Sequence, residues 1–315
     1  MKISFVIPVY NEEEVLPTFL ADHFFPELKK LNLSSYEIIF VNDGSTDGTL
    51  DLLQSLAKEA KSVKLLSFSR NFGKEIALTA GIREASGDAI ITMDADGQQP
   101  PSLIGKFIKK WQEGAEIVTG VRGKFEKHGL VAKLGSKLFY KILNAMGTKT
   151  TVPGSTDYRL IDKSVKEEFD KLTEHNRINR GLIDWLGFKQ AHINYTYGNR
   201  LAGKPSYNFK KLVALAINSF ISMSTTPLLI FGVIGAIITI LSGLLGLFAL
   251  IEIPILQDPM HLNWTGPTLL AIFITFLVGL LLISQAITAL YISHIHAETK
   301  NRPLYIIDKK NSRNL

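Results

Sequence analysis

Ile90-Ile91-Thr92-Met93-Asp94-Ala95-Asp96 is an apolar run that ends in two carboxylates. A short apolar segment of this kind reads as a buried strand. Alternate residues of a strand share a face, so the end of this one can aim Asp94 and Asp96 at a common point. Two carboxylates held close repel each other unless a cation or a proton separates them. Hard oxygen ligands suit Mg2+ or Mn2+, ions that also take diphosphate oxygens. Gln98 offers a further carbonyl ligand. An isolated Asp-x-Asp is usually a pair of solvated loop acids. At the end of a parallel strand, and followed by Gly97-Gln98-Gln99-Pro100-Pro101, it reads as a site.

Around this strand lie similar apolar, β-branched runs: Ile3–Ile7, Glu37–Val41, Val63–Ser67 and Ile117–Gly120, with Ala89–Met93 as the central one. Segments of helical length separate them. Asp47–Ala60 carries Leu50, Leu53, Leu56, Ala57 and Ala60 on one face, with Ser45, Thr46 or Asp47 as its cap. Strand alternating with helix implies an α/β fold with a mostly parallel sheet covered on both faces. Such sheets bind ligands at the carboxyl ends of their strands, and polar clusters fall there. Asn42–Asp47 follows the second strand, where Asp43 can accept hydrogen bonds from a base or a ribose. Pro8-Val9-Tyr10-Asn11-Glu12 follows the first and offers an aromatic face and a carboxylate. Its structural alternative is a helix N-terminus, which Glu12 and Glu13 suit electrostatically. Arg122–Tyr207 is less regular and reads as an active-site lid and a bridge to the apolar C-terminal region.

The chain has 315 residues and a formal charge of +6, but its composition is not uniform. Leu212–Ile251 has no charged side chain, and Ile253–Ser293 has only Asp258. Phe209, Leu212, Val213, Ala216, Ile217, Phe220 and Ile221 follow helical spacing, as in an amphipathic helix lying in a membrane interface. Leu228–Ile251 and Thr268–Ile292 are each long enough to span a bilayer, at about 1.5 Å per residue against a core of roughly 30 Å. The joining segment Glu252–Pro267 has no Lys or Arg, whereas Lys210, Lys211, Lys300, Arg302, Lys309, Lys310 and Arg313 flank the pair. The positive-inside rule puts both ends in the cytoplasm. The organisation expected is a cytoplasmic catalytic domain at 1–207 and an interfacial helix at 208–226. A two-helix membrane region comes next at 227–293, with spans near 228–251 and 268–292, and then a basic cytoplasmic tail at 294–315.

Zero cysteines exclude disulfides and thiol catalysis. No G-x-G-x-x-G follows the first strand, which argues against a dehydrogenase, and Gly73-Lys74 lacks the upstream glycine of a P-loop. No nucleic-acid-binding motif is present, so the positive charge points to lipid headgroups and phosphates.

The chain resembles the glycosyltransferase family 2 enzymes of GT-A fold, and among them the polyprenyl-phosphate glycosyltransferases of the dolichol-phosphate mannose synthase type. The matching stretches are Val6–Glu12, Val41–Asp47, Ser69–Lys74, Met93–Pro101, Gly120–Arg122, Arg180–Gly187 and Arg200–Gly203, in the family's order. The resemblance implies that Pro8, Tyr10, Glu12, Asp43, Lys74 and Asp94 hold a nucleotide sugar. Asp94, Asp96 and Gln98 would hold Mg2+ or Mn2+ with the diphosphate. Arg122, Lys133, Ser136 and Arg200 would meet an acceptor phosphate. Asp157 would lie near the reacting sugar, so Asp157, Asp96 and Arg122 are the expected catalytic residues. Gly203-Lys-Pro-Ser-Tyr207 departs from the family's Gly-x-Ser-Lys-Tyr, and no acceptor role passes to Lys204 or Ser206.

The implied activity is inverting transfer of a hexose to a polyprenyl phosphate, undecaprenyl phosphate in a bacterium, at the cytoplasmic face of the inner membrane. UDP-glucose and UDP-N-acetylglucosamine lead as donors, ahead of GDP-mannose. A flippase and a lipid-linked sugar transferase would act downstream in cell-envelope glycosylation, and some family members form homo-oligomers through their membrane helices. Three rivals fit less well. A processive polysaccharide synthase would carry a Q-x-x-R-W signature, which is absent. A catalytically dead scaffold would not need Asp94, Asp96 and Asp157. A lipid-surface binding module explains Lys210 and Lys211 but not the strand-end acids.

Overall fold

The computed structural model describes residues 1–123, 152, 154–175, 177–196, 266–300 and 302–315. The chain divides into two compact units, Met1–Asn208 with Arg302–Leu315, and Phe209–Asn301.

The first unit opens with β1 (Lys2–Val9), which leads to α1 (Leu16–Thr18) and through a π-helical stretch, Phe19–Phe24, into α2 (Phe25–Leu31). Then come β2 (Ser35–Asn42), α3 (Thr49–Glu59), β3 (Val63–Ser67), α4 (Lys74–Glu84), β4 (Ala89–Thr92), α5 (Ile104–Gln112) and β5 (Ile117–Arg122). β6 (Ser155–Asp162), α6 (Lys163–Asp170), α7 (Asn179–Trp185) and β7 (Gln190–Tyr195) complete it. All five strands expected from sequence are present. The lid expected over 122–207 is instead partly regular: it supplies β6, α6, α7 and β7. Only Tyr195 of the six residues in β7 is buried, so this strand shows no clear apolar run in the sequence.

The seven strands form one sheet in the order β3-β2-β1-β4-β6-β5-β7. β1 pairs in parallel with β2 and β4, and β2 with β3. β6 is antiparallel to both β4 and β5, while β5 and β7 are parallel. The near-continuous apolar strands follow from burial on both faces. Ile3, Phe5 and Ile7 of β1, with Ile38 and Phe40 of β2, enter one core; Val6, Ile39 and Val41 enter the other. Each such side chain contributes roughly 1.5–3 kcal/mol by leaving water. Within the first core the Phe5 and Phe24 rings meet edge-on with centroids 5.5 Å apart.

Two further features position the site. The strand order reverses between β1 and β4, and a crevice opens at such a switch point. Inside the protein, Arg159 of β6 donates to Asp184 of α7 at 2.7 Å, with both side chains almost fully buried. That pair clamps α7 to the back of β6.

The segment expected as a basic tail packs within the first unit. Leu65 and Arg313 exchange backbone hydrogen bonds, each 3.0 Å long, and Phe68 bridges Ile307 in antiparallel fashion. Arg302–Leu315 therefore covers the outer edge of β3, which would otherwise be open to unwanted strand pairing.

In the second unit, α8 (Gly266–Thr299) is 34 residues long and contains the expected second span, Thr268–Ile292. Side chains of α8 are described only in part. Among the described residues no helix is long and apolar enough to cross a membrane. The first expected span and the interfacial helix lie outside the described residues.

Candidate active site

The loops leaving β1 and β2 are stitched together. The Asn11 backbone amide donates to Ser45 Oγ at 3.0 Å, and Asn11 Oδ1 accepts from the Thr46 amide at 2.8 Å. Asn11 adopts a left-handed φ of 53° to do so, a conformation asparagine tolerates better than most residues. The Glu12 amide donates to Thr49 Oγ1, and its carbonyl accepts from Val15 and Leu16, so this stretch begins α1, in line with its structural alternative. Tyr10 stands 46% exposed at the mouth, while Pro8 is part of β1, opposite Val41. The N-cap position of α3 falls on Gly48 and not on Ser45, Thr46 or Asp47; Asp47, one residue earlier, accepts from the Thr49 amide through Oδ1 at 3.1 Å.

Asp43 is buried just past β2, and its carboxylate accepts backbone donors. The Phe72 amide reaches Oδ1 at 2.7 Å and the Gly73 amide reaches Oδ2 at 2.9 Å. Burial pushes its carboxyl above the ordinary aspartate value, and those two amides together with Arg70 only partly offset it. Asp43 thus shapes the turn that delivers α4. Beside it Gly44 has φ +67°, and a Cβ there would sit 2.4 Å from the Arg70 carbonyl carbon, so only glycine lets the two loops touch.

Lys74, the first residue of α4, holds the centre. Its Nζ lies 2.6 Å from Asp94 Oδ1 and 3.5 Å from Asp157 Oδ2. These residues meet for a topological reason. Asp94 lies two residues past the end of β4, at the carboxyl edge. β6 runs the other way, so its beginning comes to that same edge; Thr92 pairs with Arg159, and Thr92 Oγ1 donates to the Asp157 carbonyl at 2.5 Å. Arg122 ends β5 at this edge too, with its amide donating to the Gly154 carbonyl.

The loop after β4 assigns its polar residues differently from expectation. The Gln99 side chain clasps Asp94: its Oε1 accepts from the Asp94 amide and its Nε2 donates to Asp94 Oδ2, both at 2.8 Å. Gln98, the expected carbonyl ligand, uses its backbone amide to reach Asp96 Oδ1 at 3.0 Å. Gly97 turns the chain between them with φ +75°.

A second layer lies behind Lys74. The Asn179 amide donates to Glu75 Oε2 at 2.8 Å, and Asn179 Nδ2 to the Glu75 carbonyl at 2.6 Å, tying α7 to the first turn of α4. The sequence alone assigns nothing to Gln99, Glu75 or Asn179, and Arg180 falls within a recognised motif without a role. Their signal is spatial: no short-range spacing links residue 75 to 179.

The electrostatics are unbalanced. Burial, with Asp157 adding to it, lifts the Glu75 carboxyl to about 7 despite Asn179, Arg180 and Lys74. Burial likewise raises Asp94; Lys74 counters it, and Asp157 and Asp96 reinforce it. Asp157 also feels burial, but Lys74, Arg180 and Arg159 outweigh it and hold the carboxyl low. Lys74 is pushed up: burial disfavours its charge, but Asp94 and Asp157 dominate. Among the described residues acids outnumber bases here, as expected of a place that receives a cation. Among the described residues no three acids or histidines form a ready metal-holding group. Lys133, Ser136 and Arg200 lie outside the described residues.

Residues 4–169 match glycosyl transferase family 2. Over the whole length of both chains, the sequence is 38% identical to the SfII prophage-derived bactoprenol glucosyl transferase of Shigella flexneri. It is 36% identical to the prophage bactoprenol glucosyl transferase homolog of Escherichia coli K12, over 98% of this chain and 99% of that one. Among solved structures, glucosyl-3-phosphoglycerate synthase from Mycobacterium tuberculosis with Mn2+, UDP and phosphoglyceric acid overlaps 69% of this chain and 75% of its own, at 21% identity and a TM-score of 0.48.

Proposed function

The chain belongs to glycosyl transferase family 2 and is a sugar-transferring enzyme of GT-A-like fold, and from that premise we propose that it moves glucose from UDP-glucose to a polyprenyl phosphate, with inversion at the anomeric carbon. The observation that carries the donor reading is the meeting of Asp94 and Asp157 on Lys74 at the carboxyl edge of the sheet. The acceptor and the sugar follow from relatives that match end to end and are named bactoprenol glucosyl transferases. UDP-N-acetylglucosamine is the second donor candidate and GDP-mannose the third; undecaprenyl phosphate is the acceptor.

A phosphate monoester has its second pKa near about 6, so the acceptor arrives largely as a dianion and already nucleophilic. A phosphate oxygen forms a bond to the anomeric carbon as the bond from that carbon to the diphosphate breaks. No proton has to be abstracted, in contrast to transfer onto a hydroxyl. Asp157 then orients sugar and acceptor rather than acting as a base. Lys74, paired with Asp94 at 2.6 Å, would meet the diphosphate, and Arg122 with Lys133, Ser136 and Arg200 would hold the acceptor phosphate. Pro8, Tyr10, Glu12 and Asp43 line the nucleotide end. For Asp43 the demand is shared with its hold on the α4 turn.

The residues present fit a divalent ion. Asp94 and Asp96 are hard oxygen donors that follow one strand, of the kind a divalent ion takes. Asp94 and Asp96, with Gln98 as the expected third ligand, would hold Mg2+ or Mn2+. When bound, such an ion neutralises the leaving diphosphate.

The membrane site in this reading rests on the sequence of the second unit. No Asp, Glu, Lys or Arg occurs from Gly266 to Ala297. Leu270, Phe273, Ile274, Leu281, Leu290, Ile292 and Ile295 of α8 are exposed, an apolar surface of the kind lipid covers. Spans at 228–251 and 268–292, with the catalytic domain cytoplasmic, complete the reading.

The experiment is turnover by purified protein with undecaprenyl phosphate and a panel of nucleotide sugars, products identified by mass. A hexosyl-phosphoryl-undecaprenol from UDP-glucose, lost in EDTA and restored by Mg2+ or Mn2+, is expected. Failure of every nucleotide sugar to yield a glycolipid would sink the reading.

A further inference from the structure

The C-terminal segment sits where it can act on the site. Ser69 donates its amide to the Ile306 carbonyl at 3.0 Å, and the Asp308 amide donates to the Ser67 carbonyl at 2.7 Å. Ser312 Oγ accepts from the Ser67 amide at 3.0 Å. These bonds grip the last residue of β3 and the start of the loop beyond it. Tyr305 stacks on Phe68, centroids 5.1 Å apart at 20° between planes, and Phe68 meets Phe72 edge-on at 5.6 Å. Phe72 is the residue whose amide holds Asp43, and two residues later comes Lys74. The far end of the segment is fastened separately: Asn314 Nδ2 donates to the carbonyls of Ala57 and Val63 at 2.7 and 2.8 Å.

The loop from Ser69 to Gly73 is thus held from two sides. Asp43 grips its inner end through two amides. The C-terminal segment grips its outer end through the Ser69 amide and stacks on Phe68, the residue just before it. Edge protection alone would need only the pairing with β3. It would not need contacts that run past the strand into the loop.

We propose that Arg302–Leu315 is a positioning strap for the donor site, and that Tyr305 sets the place of Lys74 through the Phe68–Phe72 ring pair. The inference rests on the reading of Lys74, Asp94 and Asp157 as a donor site. The strap meets the edge of β3 through two isolated antiparallel bridges, and its hold sets how well the first turn of α4 is aimed. A misplacement of about 1 Å can cost roughly 100-fold in rate, so a loosened strap has room to matter.

The test compares two ends of the strap in the full-length protein. Tyr305→Ala removes the stack next to the loop; Asn314→Ala loosens the end remote from it. UDP binding is followed by calorimetry, the KM for UDP-glucose and kcat by product formation, and folding by thermal melting. The expected result is that Tyr305→Ala weakens UDP binding and raises the donor KM by about tenfold, within the range that such misplacement allows. Asn314→Ala should lower the melting temperature and leave the donor KM unchanged. Tyr305→Phe, which keeps the ring, should restore wild-type binding. If Tyr305→Ala fails to fold, Tyr305→Leu keeps the apolar bulk without the stack and carries the same comparison. Equal melting losses with an unchanged donor KM in both variants would overturn the proposal and leave the strap an edge seal. A Tyr305→Phe as impaired as the alanine variant would overturn the ring path. A wild-type protein that binds no nucleotide would fail the donor reading itself, and this is seen before any variant is made.

Discussion

At the amino end of the sheet Glu37 is buried and surrounded by donors: Ser4 Oγ at 2.6 Å, Lys2 Nζ at 2.9 Å and the Ser86 amide at 2.7 Å. Burial alone would raise it, but those hydrogen bonds prevail and hold its carboxyl down at about 2. At the carboxyl end Asp94 and Glu75 are half-buried, and both are pushed upward, Glu75 to about 7. The same side-chain chemistry is held below its ordinary value at one end of the sheet and pushed above it at the other. An acid held low fastens strands. An acid pushed upward is disfavoured as a charge unless a cation or ligand joins it, and this marks the functional end. Arg159–Asp184 belongs with Glu37 in kind, a paired charge that holds α7 to β6.

The contrast can be broken most directly at Asp94. Asp94→Asn should lower turnover about 100- to 1,000-fold, the cost of losing one preorganised charge at a reacting centre, without loss of melting temperature. A variant that melts early and turns over normally would move Asp94 to the structural class. Glu37→Gln should do the reverse, leaving the donor KM in place and reducing stability. The interval from 4.5 to about 2, at about 1.4 kcal/mol for each tenfold, corresponds to about 3 kcal/mol. Because the folded-state value is depressed, that contribution is present above about pH 4.5 and is lost as pH falls through about 2. Urea titrations of both proteins between pH 2 and 7 would show the two curves converging at the acid end; parallel curves would refute the assignment. The smallest effect belongs to Glu75, whose folded-state value is raised. The folded protein then binds the extra proton, so its contribution falls as pH rises from about 4.5 through about 7. Glu75→Gln, measured without added metal, should flatten that slope. An unchanged slope would mean that Glu75 is met as well as Glu37.

Much of the fold was legible in the runs themselves. Ile3–Ile7 and Glu37–Val41 read as strands because residues buried on both faces leave no polar alternation to confuse them. β6 and β7 were not legible: β6 lies within a stretch of arginines, lysines and glycines, and β7 is covered on neither face well enough to look apolar. In the site, Asp94, Asp96 and Asp43 could be found because they follow strands. Gln99 could not, since its side chain folds back onto Asp94 five residues earlier in a loop that no periodicity describes. The strap reads as a basic tail because Lys309, Lys310 and Arg313 advertise charge, whereas its backbone hydrogen bonds to β3 leave no mark in composition.

By itself the sequence determined that a parallel α/β sheet carries acids at its strand ends and that a long uncharged stretch comes after it. Those features are local: they depend on period, on the residue after a strand and on runs of apolar side chains. Only the tertiary structure decided that Asp157 comes to Asp94, that one lysine lies between them, and that the last fourteen residues, Arg302–Leu315, return to the sheet edge. Each of those depends on strand direction and register across long stretches of chain. An antiparallel β6 presents its beginning where a parallel β4 presents its end, and no short-range spacing records that choice.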